Sequence, residues 1–322
     1  MDTLGSWDNI LSASEKLLYA ENNSPTSEHK CSDDEENILQ GNFKFPLWDS
    51  SIISVKGKDS KLFLQSQLTC DLNKIDSGSW VQTSWCAPNG RVKYLVTLFL
   101  TCDGFFLLID NKITARLLKQ ITIYVLNAEV EFKDVSESLL AFAVRQITNN
   151  KQSKPDEFCS KGISRNLDIY IAPPDSIKQK WTSVSALPIS ESIRTLFHIR
   201  DRYPHLQLDQ LEKFLPQELN LDQHLGLSFD KGCYPGQEII ARVKYRGVVK
   251  RRLSFLRSRN PLSYNPSYND RLNDDGGNKV GTILLAGRSS TKYLEILSVL
   301  DLSAPPQVFL EGDKNELIVV GN

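Results

Sequence analysis

Cys233 stands between Gly232 and Tyr234 and is followed by Pro235 and Gly236, inside the stretch SFDKGCYPGQEIIARVKYRGVVKRRL from Ser228 to Leu253. Gln237 and Glu238 then open a run with apolar residues at helical spacing, and Gly247 supplies a stop after Arg246. Proline near the start, acidic or amide residues in the first turn and glycine at the end are the entry and exit signals of a helix. The spacing therefore predicts a thiol just upstream of a helix N-terminus, where unpaired N–H groups and the helix dipole favour negative charge. Lys231 acts in the same direction. Cysteines so placed titrate at about 3.5–7.5 instead of about 8.5, which suits a nucleophile, a metal ligand or a redox sensor. The plainer reading is a small buried hydrophobe, as free cysteines commonly are.

Downstream, Arg242, Lys244, Arg246, Lys250, Arg251, Arg252, Arg257 and Arg259 occur with no Asp or Glu between them. Such a run suits an anionic ligand, either a polycarboxylate or phosphate or a nucleic-acid backbone. It equally suits a solvated helix face running into an edge strand charged against aggregation. His198, His205 and His224 are dispersed, and the cysteines at 31, 70, 86, 102, 159 and 233 form no C-x-x-C pair, so no stable metal site is expected.

The elements that must position these residues belong to a chain of 322 residues with net charge −1, long enough for two or three domains. Residues 1–40 carry −7 and the remainder +6. Widely spaced cysteines point to reduced thiols and a cytoplasmic location, and an acidic N-terminus has the wrong sign for a mitochondrial transit peptide. No apolar run approaches the roughly 20 residues of a membrane span, so no membrane role is expected.

Trp7, Ile10, Leu11, Leu17 and Leu18 share a helical face, with Ser12 and Glu15 at capping-box spacing, and 21–36 reads as an acidic linker. From about Phe43 the pattern runs strand (Ile52–Val55), helix (Asp59–Gln67), three strands (Trp80–Cys86, Val92–Leu100, Phe105–Ile109), helix (Asn111–Val125) and strand (Glu129–Val135). Turn chemistry at Pro88-Asn89-Gly90 and Asp103-Gly104 separates the central strands. That order is ferredoxin-like α+β. A second, less regular region has strands at Leu139–Arg145 and Leu167–Ala172, a polar loop over 151–164 and helices near Ser176–Ser185 and Ser192–Arg202. Short strands at Leu253–Arg257, Lys279–Leu285, Tyr293–Leu300, Val308–Leu310 and Leu317–Val320 predict a small barrel. The expected division is 1–40 as an acidic extension, 41–136 and 137–247 as two α+β domains, and 248–322 as the barrel.

The run FLPQELNLDQHLGLSFDKGCYPGQEIIARVKYRG resembles the signature of the YgfZ-type folate-binding proteins, relatives of the glycine cleavage T-protein (aminomethyltransferase). VKGKDSKLFLQSQLTCDL and APNGRVKYLVTLFL resemble the family's N-terminal pattern, so the likeness spans roughly Val55 to Leu253. The resemblance implies two ferredoxin-like α+β domains and a C-terminal β-barrel around a central cavity that takes tetrahydrofolate or a derivative. It also implies a role in assembling or repairing iron–sulfur enzymes, including radical enzymes that methylthiolate tRNA. The implied partners are folate and iron–sulfur enzymes or assembly proteins; direct nucleic-acid binding is not expected, and a monomer is.

On this footing Cys233 is the functional thiol and Lys231 its helper. Gly232, Tyr234, Gly236, Gln237, Glu238, Arg242 and Arg246 form the ligand-binding set, together with Gln67, Asp71 and Trp48. The sequence departs from the family at Ser66 and Arg202, where glycines are usual, and at Arg194, near a usual tryptophan. Trp48 is the aromatic residue expected to serve instead. T-proteins carry an Asp pair after the P-N-G-like turn, whereas Gly90 to Leu95 holds no carboxylate here. An accessory role is therefore expected ahead of the alternatives, folate-dependent one-carbon transfer and RNA binding.

Overall fold

Short apolar segments separated by turn residues pair into one continuous sheet and one closed barrel. The computed structural model describes residues 7–20, 32–101, 103–147, 159–163, 166–261, 266–311 and 316–320. Helices α1 (Ala13–Ala20) and α2 (Ser32–Gln40) precede strands β1 (Phe43–Pro46) and β2 (Ser50–Lys56). Helix α3 (Ser60–Gln67), strands β3 (Ser79–Cys86), β4 (Val92–Thr101) and β5 (Gly104–Asp110), helix α4 (Asn111–Ile121) and strand β6 (Glu131–Asp134) follow. Next come β7 (Leu140–Arg145), β8 (Cys159–Gly162), β9 (Asp168–Ala172), α5 (Pro174–Ser183), β10 (Leu187–Pro188), α6 (Glu191–Arg200) and α7 (Gln237–Arg246). The barrel is built from β11 (Arg251–Pro261), β12 (Arg271–Asn273), β13 (Lys279–Arg288), β14 (Tyr293–Asp301), β15 (Gln307–Leu310) and β16 (Glu316–Val319).

The sheet order is β10-β1-β7-β9-β8-β3-β4-β5-β2-β6. Its two α+β halves join where β8 runs parallel to β3, pairing Ser79 with Lys161 and Trp80 with Gly162. β1 pairs with β7 and β10 rather than with its neighbour in sequence, so the chain crosses from one half to the other between Pro46 and Ser50. Helix α4 is capped by Asp110, whose carboxylate accepts from the Lys112 N–H at 2.8 Å, and it buries Ile113, Leu117 and Ile121 against Ile53, Leu98 and Leu107. Across the join, Phe43 and Phe45 of β1 and Trp80 of β3 share a core with Leu196 and Phe197 of α6. Apolar burial of this kind is worth about 1.5–3 kcal/mol per large side chain and supplies the rigidity of the frame.

Several expectations are corrected. The Ser12–Glu15 pair forms a reciprocal capping box, but Leu17 faces solvent and Tyr19 takes the buried place on α1. Of the supposed linker, residues 32–36 belong to α2, and 21–31 lie outside the described residues. Glu36 of α2 binds Arg200 at 2.7 Å, and Glu35 accepts from the Ser290 N–H at 2.7 Å, which fastens α2 to α6 and to the barrel. The segment 151–164 is not all loop, because Cys159–Gly162 forms β8. β12 adds a barrel strand that alternation does not reveal in so short a segment. β11 is no edge strand, being paired with both β14 and β16.

Arg202, where the family pattern places glycine, has φ of +48°. A side chain costs about 1–2 kcal/mol in that conformation. Replacing Arg202 with glycine, despite losing the hydrogen bond to the Val320 carbonyl, is expected to stabilise the chain by up to about 1 kcal/mol, measured by urea unfolding.

Candidate functional site

Three stretches far apart in sequence meet around the Cys233 loop. The Ser228 N–H donates to the Thr69 carbonyl at 2.8 Å, and the Thr69 and Thr83 hydroxyls both donate to the Gly226 carbonyl, at 2.7 and 2.9 Å. Lys231 Nζ donates to the carbonyls of Leu68 and Cys70, at 2.7 and 2.6 Å. Gly236 has φ of +80° and lies on the turn after β3, where a Cβ would come within 2.6 Å of the Ala87 carbonyl oxygen and of Gly90 Cα. Tyr234 is buried, its hydroxyl donates to the Ser228 carbonyl at 3.1 Å, and Lys231 Nζ lies 5.3 Å from its ring centre. With its neighbours pinned, Cys233 is left exposed one turn ahead of α7.

The parts of this junction differ from the sequence expectation in instructive ways. Gly232 has open space around it, so only Gly236 is required by sterics. Lys231 is committed to the Leu68 and Cys70 carbonyls rather than to the loop's own thiol. Burial pushes its ammonium down to about 8, with Cys70 and Asp71 pulling partly back. A lysine lowered in the folded state destabilises fully below that value, and the penalty fades as pH rises toward the unfolded value of about 10.4. Burial pushes the Cys70 thiol up and the Cys86 thiol up to about 12, which leaves them inert beside an exposed Cys233.

Asp71 accepts from Gln65 Nε2 and from the Asn73 N–H, capping the short 3-10 turn Leu72–Lys74. Burial works against its ionisation, but those hydrogen bonds and the charges of Lys74 and Lys231 hold it below the usual carboxylate range. Gln67 is half-buried at the end of α3, and its Nε2 reaches the Ser66 hydroxyl at 3.4 Å. Ser66 itself fits without strain, its hydroxyl donating to the Phe63 carbonyl. Glu238 is exposed in the first turn of α7, and the Gln237 amide is 3.5 Å from the Lys231 carbonyl.

The basic stretch splits in two. On β11, Arg251 pairs with Glu218, Arg252 with Asp222 and Arg259 with Glu316, at 2.6–2.7 Å, and Arg257 approaches Glu295 at 3.9 Å. Arg242 and Arg246 on α7 are exposed and have no ion pair among the described residues. The arginines of the helix half are therefore uncommitted, while those of the strand half are taken up by acidic partners.

A separate cavity of about 80 Å³ lies between the two sheet halves, lined by Asp49, Gln82, Leu95, Asp110, Arg194 and His205 among others, and by no residue of the Cys233 loop. Arg194 makes a two-pronged pair with Asp49, 2.6 Å at its shorter contact, and also binds Glu191 at 2.6 Å. Asp110 faces His205 Nε2 at 3.2 Å. Trp48 is not brought here or to the Cys233 loop; it packs edge-on to Tyr19 beside α1, with ring centres 4.6 Å apart. The carboxylates of this cavity, Asp49 and Asp110, were not singled out from sequence because their partners come from α6 and the loop after it.

Burial alone would raise Asp49, yet the Arg194 charge and hydrogen bonds, aided by His205 and His198, hold it well below the carboxylate range. Its stabilising contribution is complete above the unfolded value of about 3.9 and is lost as pH falls toward the depressed folded value. The Asp49 side chain is 36% exposed, which screens the pair. Asp49→Ala is accordingly expected to cost about 2–3 kcal/mol at neutral pH, less than a fully buried pair, with the difference from the parent shrinking in strong acid. Urea unfolding across pH measures both.

Ligand pockets usually enclose about 300–1,000 Å³. At about 80 Å³ the central cavity lies below that range, with the Asp49–Arg194 pair in its lining. In the Gly90–Leu95 stretch Tyr94 is buried with its hydroxyl donating to Gln120, and Lys93 stacks over Trp85.

No family model matches the chain. It is 29% identical to the tRNA-modifying protein YgfZ of Aliivibrio fischeri over 280 residues, covering 82% of this chain and 87% of that protein. The YgfZ of Vibrio vulnificus is 28% identical over 214 residues, covering 63% and 66%. An uncharacterized protein of Haemophilus influenzae is 33% identical over 211 residues, covering 64% and 70%. Among solved structures, the glycine cleavage system aminomethyltransferase T of Bartonella henselae superposes with a TM-score of 0.72 over 89% of this chain and 88% of that one. At 13% identity that likeness concerns the fold, α+β with a closed barrel. With several YgfZ proteins matched, one over 82% of this chain, and a shared α+β and barrel fold, the chain belongs to the YgfZ family.

Proposed function

We propose that this chain is an accessory protein of tRNA modification that supports iron–sulfur enzymes, working through Cys233 in the cytoplasm as a monomer. The observation that carries the proposal is the junction itself. The Leu68–Asp71 loop, the Ala87–Gly90 turn and the Lys231–Gly236 loop lock together and present the exposed Cys233 thiol ahead of α7. An exposed thiolate can ligate iron or act as a nucleophile, and the unpaired Arg242 and Arg246 favour an acidic partner surface. The relatives' name, tRNA-modifying protein, agrees with this direction.

The aminomethyl-transfer alternative lacks a catalyst. The cavity carboxylates are already engaged, Asp49 by Arg194 and Asp110 by His205, so neither is an uncommitted base for one-carbon chemistry. Tetrahydrofolate remains the proposed ligand of the family's central cavity. In this chain that cavity is small and has the Asp49–Arg194 pair in its lining, so the accessory role rests on the thiol junction and not on folate chemistry.

Expression in a bacterial strain lacking its own YgfZ, scored in parallel for tRNA methylthiolation and for glycine cleavage, tests the reading. Restored methylthiolation without restored cleavage is the expected result. The reverse pattern would select the transferase and sink the accessory role.

A further inference from the structure

A cleft of about 540 Å³ opens where α7 exits toward the barrel, at the end of the helix remote from Cys233. It is larger than the central cavity and within the range of small-molecule pockets, about 300–1,000 Å³. Val243, Val248 and Val249 form one apolar wall, and Val248 is 77% exposed, an apolar surface that nothing described covers. Lys250 and Lys279 supply cations, and neither has an ion pair among the described residues. Arg251, which also reaches the cleft, is held by Glu218 at 2.7 Å and fixes the floor. Asp301 lines the same space without an ion pair among the described residues. The Leu302 N–H donates to the Lys250 carbonyl at 2.8 Å, and Arg251 pairs across the ladder with Asp301, which keeps these charges side by side.

We propose that this cleft binds a free nucleotide, with the phosphate on Lys250 and Lys279, the ribose hydroxyls on Asp301 and the base against the valines. Each group asks for a different part of one ligand. The lysines attract an anion, and the field there is already positive: burial and then Arg271, Arg251 and Lys213 push the Lys279 ammonium down, a crowding that a phosphate relieves. A simple carboxylate or inorganic phosphate would leave Asp301 opposed by like charge and the valines wet. A sugar donates hydroxyls to a carboxylate, as ribose does to the acidic residue of dinucleotide sites, and a planar base covers the apolar wall. The site stands apart from the Cys233 junction and does not depend on the accessory reading.

Isothermal titration calorimetry of the full chain against AMP, 2′-deoxy-AMP, inorganic phosphate and a short single-stranded RNA tests the proposal. AMP is expected to bind, with at least about tenfold lower affinity for inorganic phosphate. Lys250→Glu/Lys279→Glu, at two exposed positions whose folding circular dichroism checks, is expected to lose AMP by about tenfold or more, while Cys233→Ala leaves it unchanged. Asp301→Asn is expected to erase a preference for AMP over the deoxy form. Absent AMP binding, equal binding by the folded double variant, phosphate binding as tight as AMP, or capture of RNA in place of AMP would each overturn it.

Discussion

Cys233→Ser is expected to lower restored tRNA methylthiolation by at least about tenfold while leaving stability within about 0.5 kcal/mol of the parent. The two halves of that expectation come from different features. Cys233 is exposed, so serine in its place changes no packing, and the loop is held by bonds that do not involve the thiol: Lys231 to Leu68 and Cys70, and Tyr234 to Ser228. A serine hydroxyl keeps the size but is not ionised near neutrality, so it neither ligates iron nor attacks as a thiolate does. Parallel Cys70→Ser and Cys86→Ser variants supply the contrast. Both residues are buried with thiols pushed up by burial, so they are expected to lose stability and not specific activity. Tritium-free mass analysis of tRNA digests, beside urea unfolding of the purified variants, separates the two effects. Full restoration by Cys233→Ser would remove the thiol from the mechanism.

The order of the three parts was legible because long strands and turns carry local signals. β3, β4 and β5 alternate or run apolar between Gly78, the Pro88-Asn89-Gly90 turn and the Asp103-Gly104 turn, and α4 begins at an Asp that caps it. Elements whose existence depends on a distant partner were not legible. β1 is four residues long and buried throughout, and only β7 and β10 make it a strand. β8 sits in a polar stretch and is defined by β3 and β9. The same distinction divides the site. That Cys233 precedes a helix is local and could be read from Gln237, Glu238 and Gly247; that Lys231 reaches past its own loop to Leu68 and Cys70 is a contact between segments more than 160 residues apart. The place of Trp48 was hidden for the same reason, since Tyr19 of α1 packs on its ring from outside the matched motifs. The paired arginines of β11 also follow from distant acids, Glu218, Asp222, Glu295 and Glu316.

Gly236→Val is expected to destabilise the chain by about 3 kcal/mol or more and to abolish function with it, whereas Gly232→Ala leaves stability nearly unchanged. Both glycines flank the thiol in sequence, yet their backbones ask for different things. Gly236 has φ of +80°, and a Cβ there would lie 2.6 Å from the Ala87 oxygen and Gly90 Cα and 2.8 Å from Gly90 N. Gly90 is itself at φ of +78°, and a Cβ on it would sit 3.1 Å from Ile239 Cβ, so the turn has no room to retreat. A valine must either strain its own backbone or push the turn away, and the second route also moves the first turn of α7 and with it the thiol. At Gly232 a Cβ meets nothing within 4 Å and the backbone is not left-handed. Urea midpoints of the purified variants read the first effect. The second is read by Cys233 alkylation rates with iodoacetamide: Gly232→Ala keeps the parent rate, and Gly236→Val changes it. Equal stability of the two variants would mean that the contact between the Cys233 loop and the Ala87–Gly90 turn does not hold the site together.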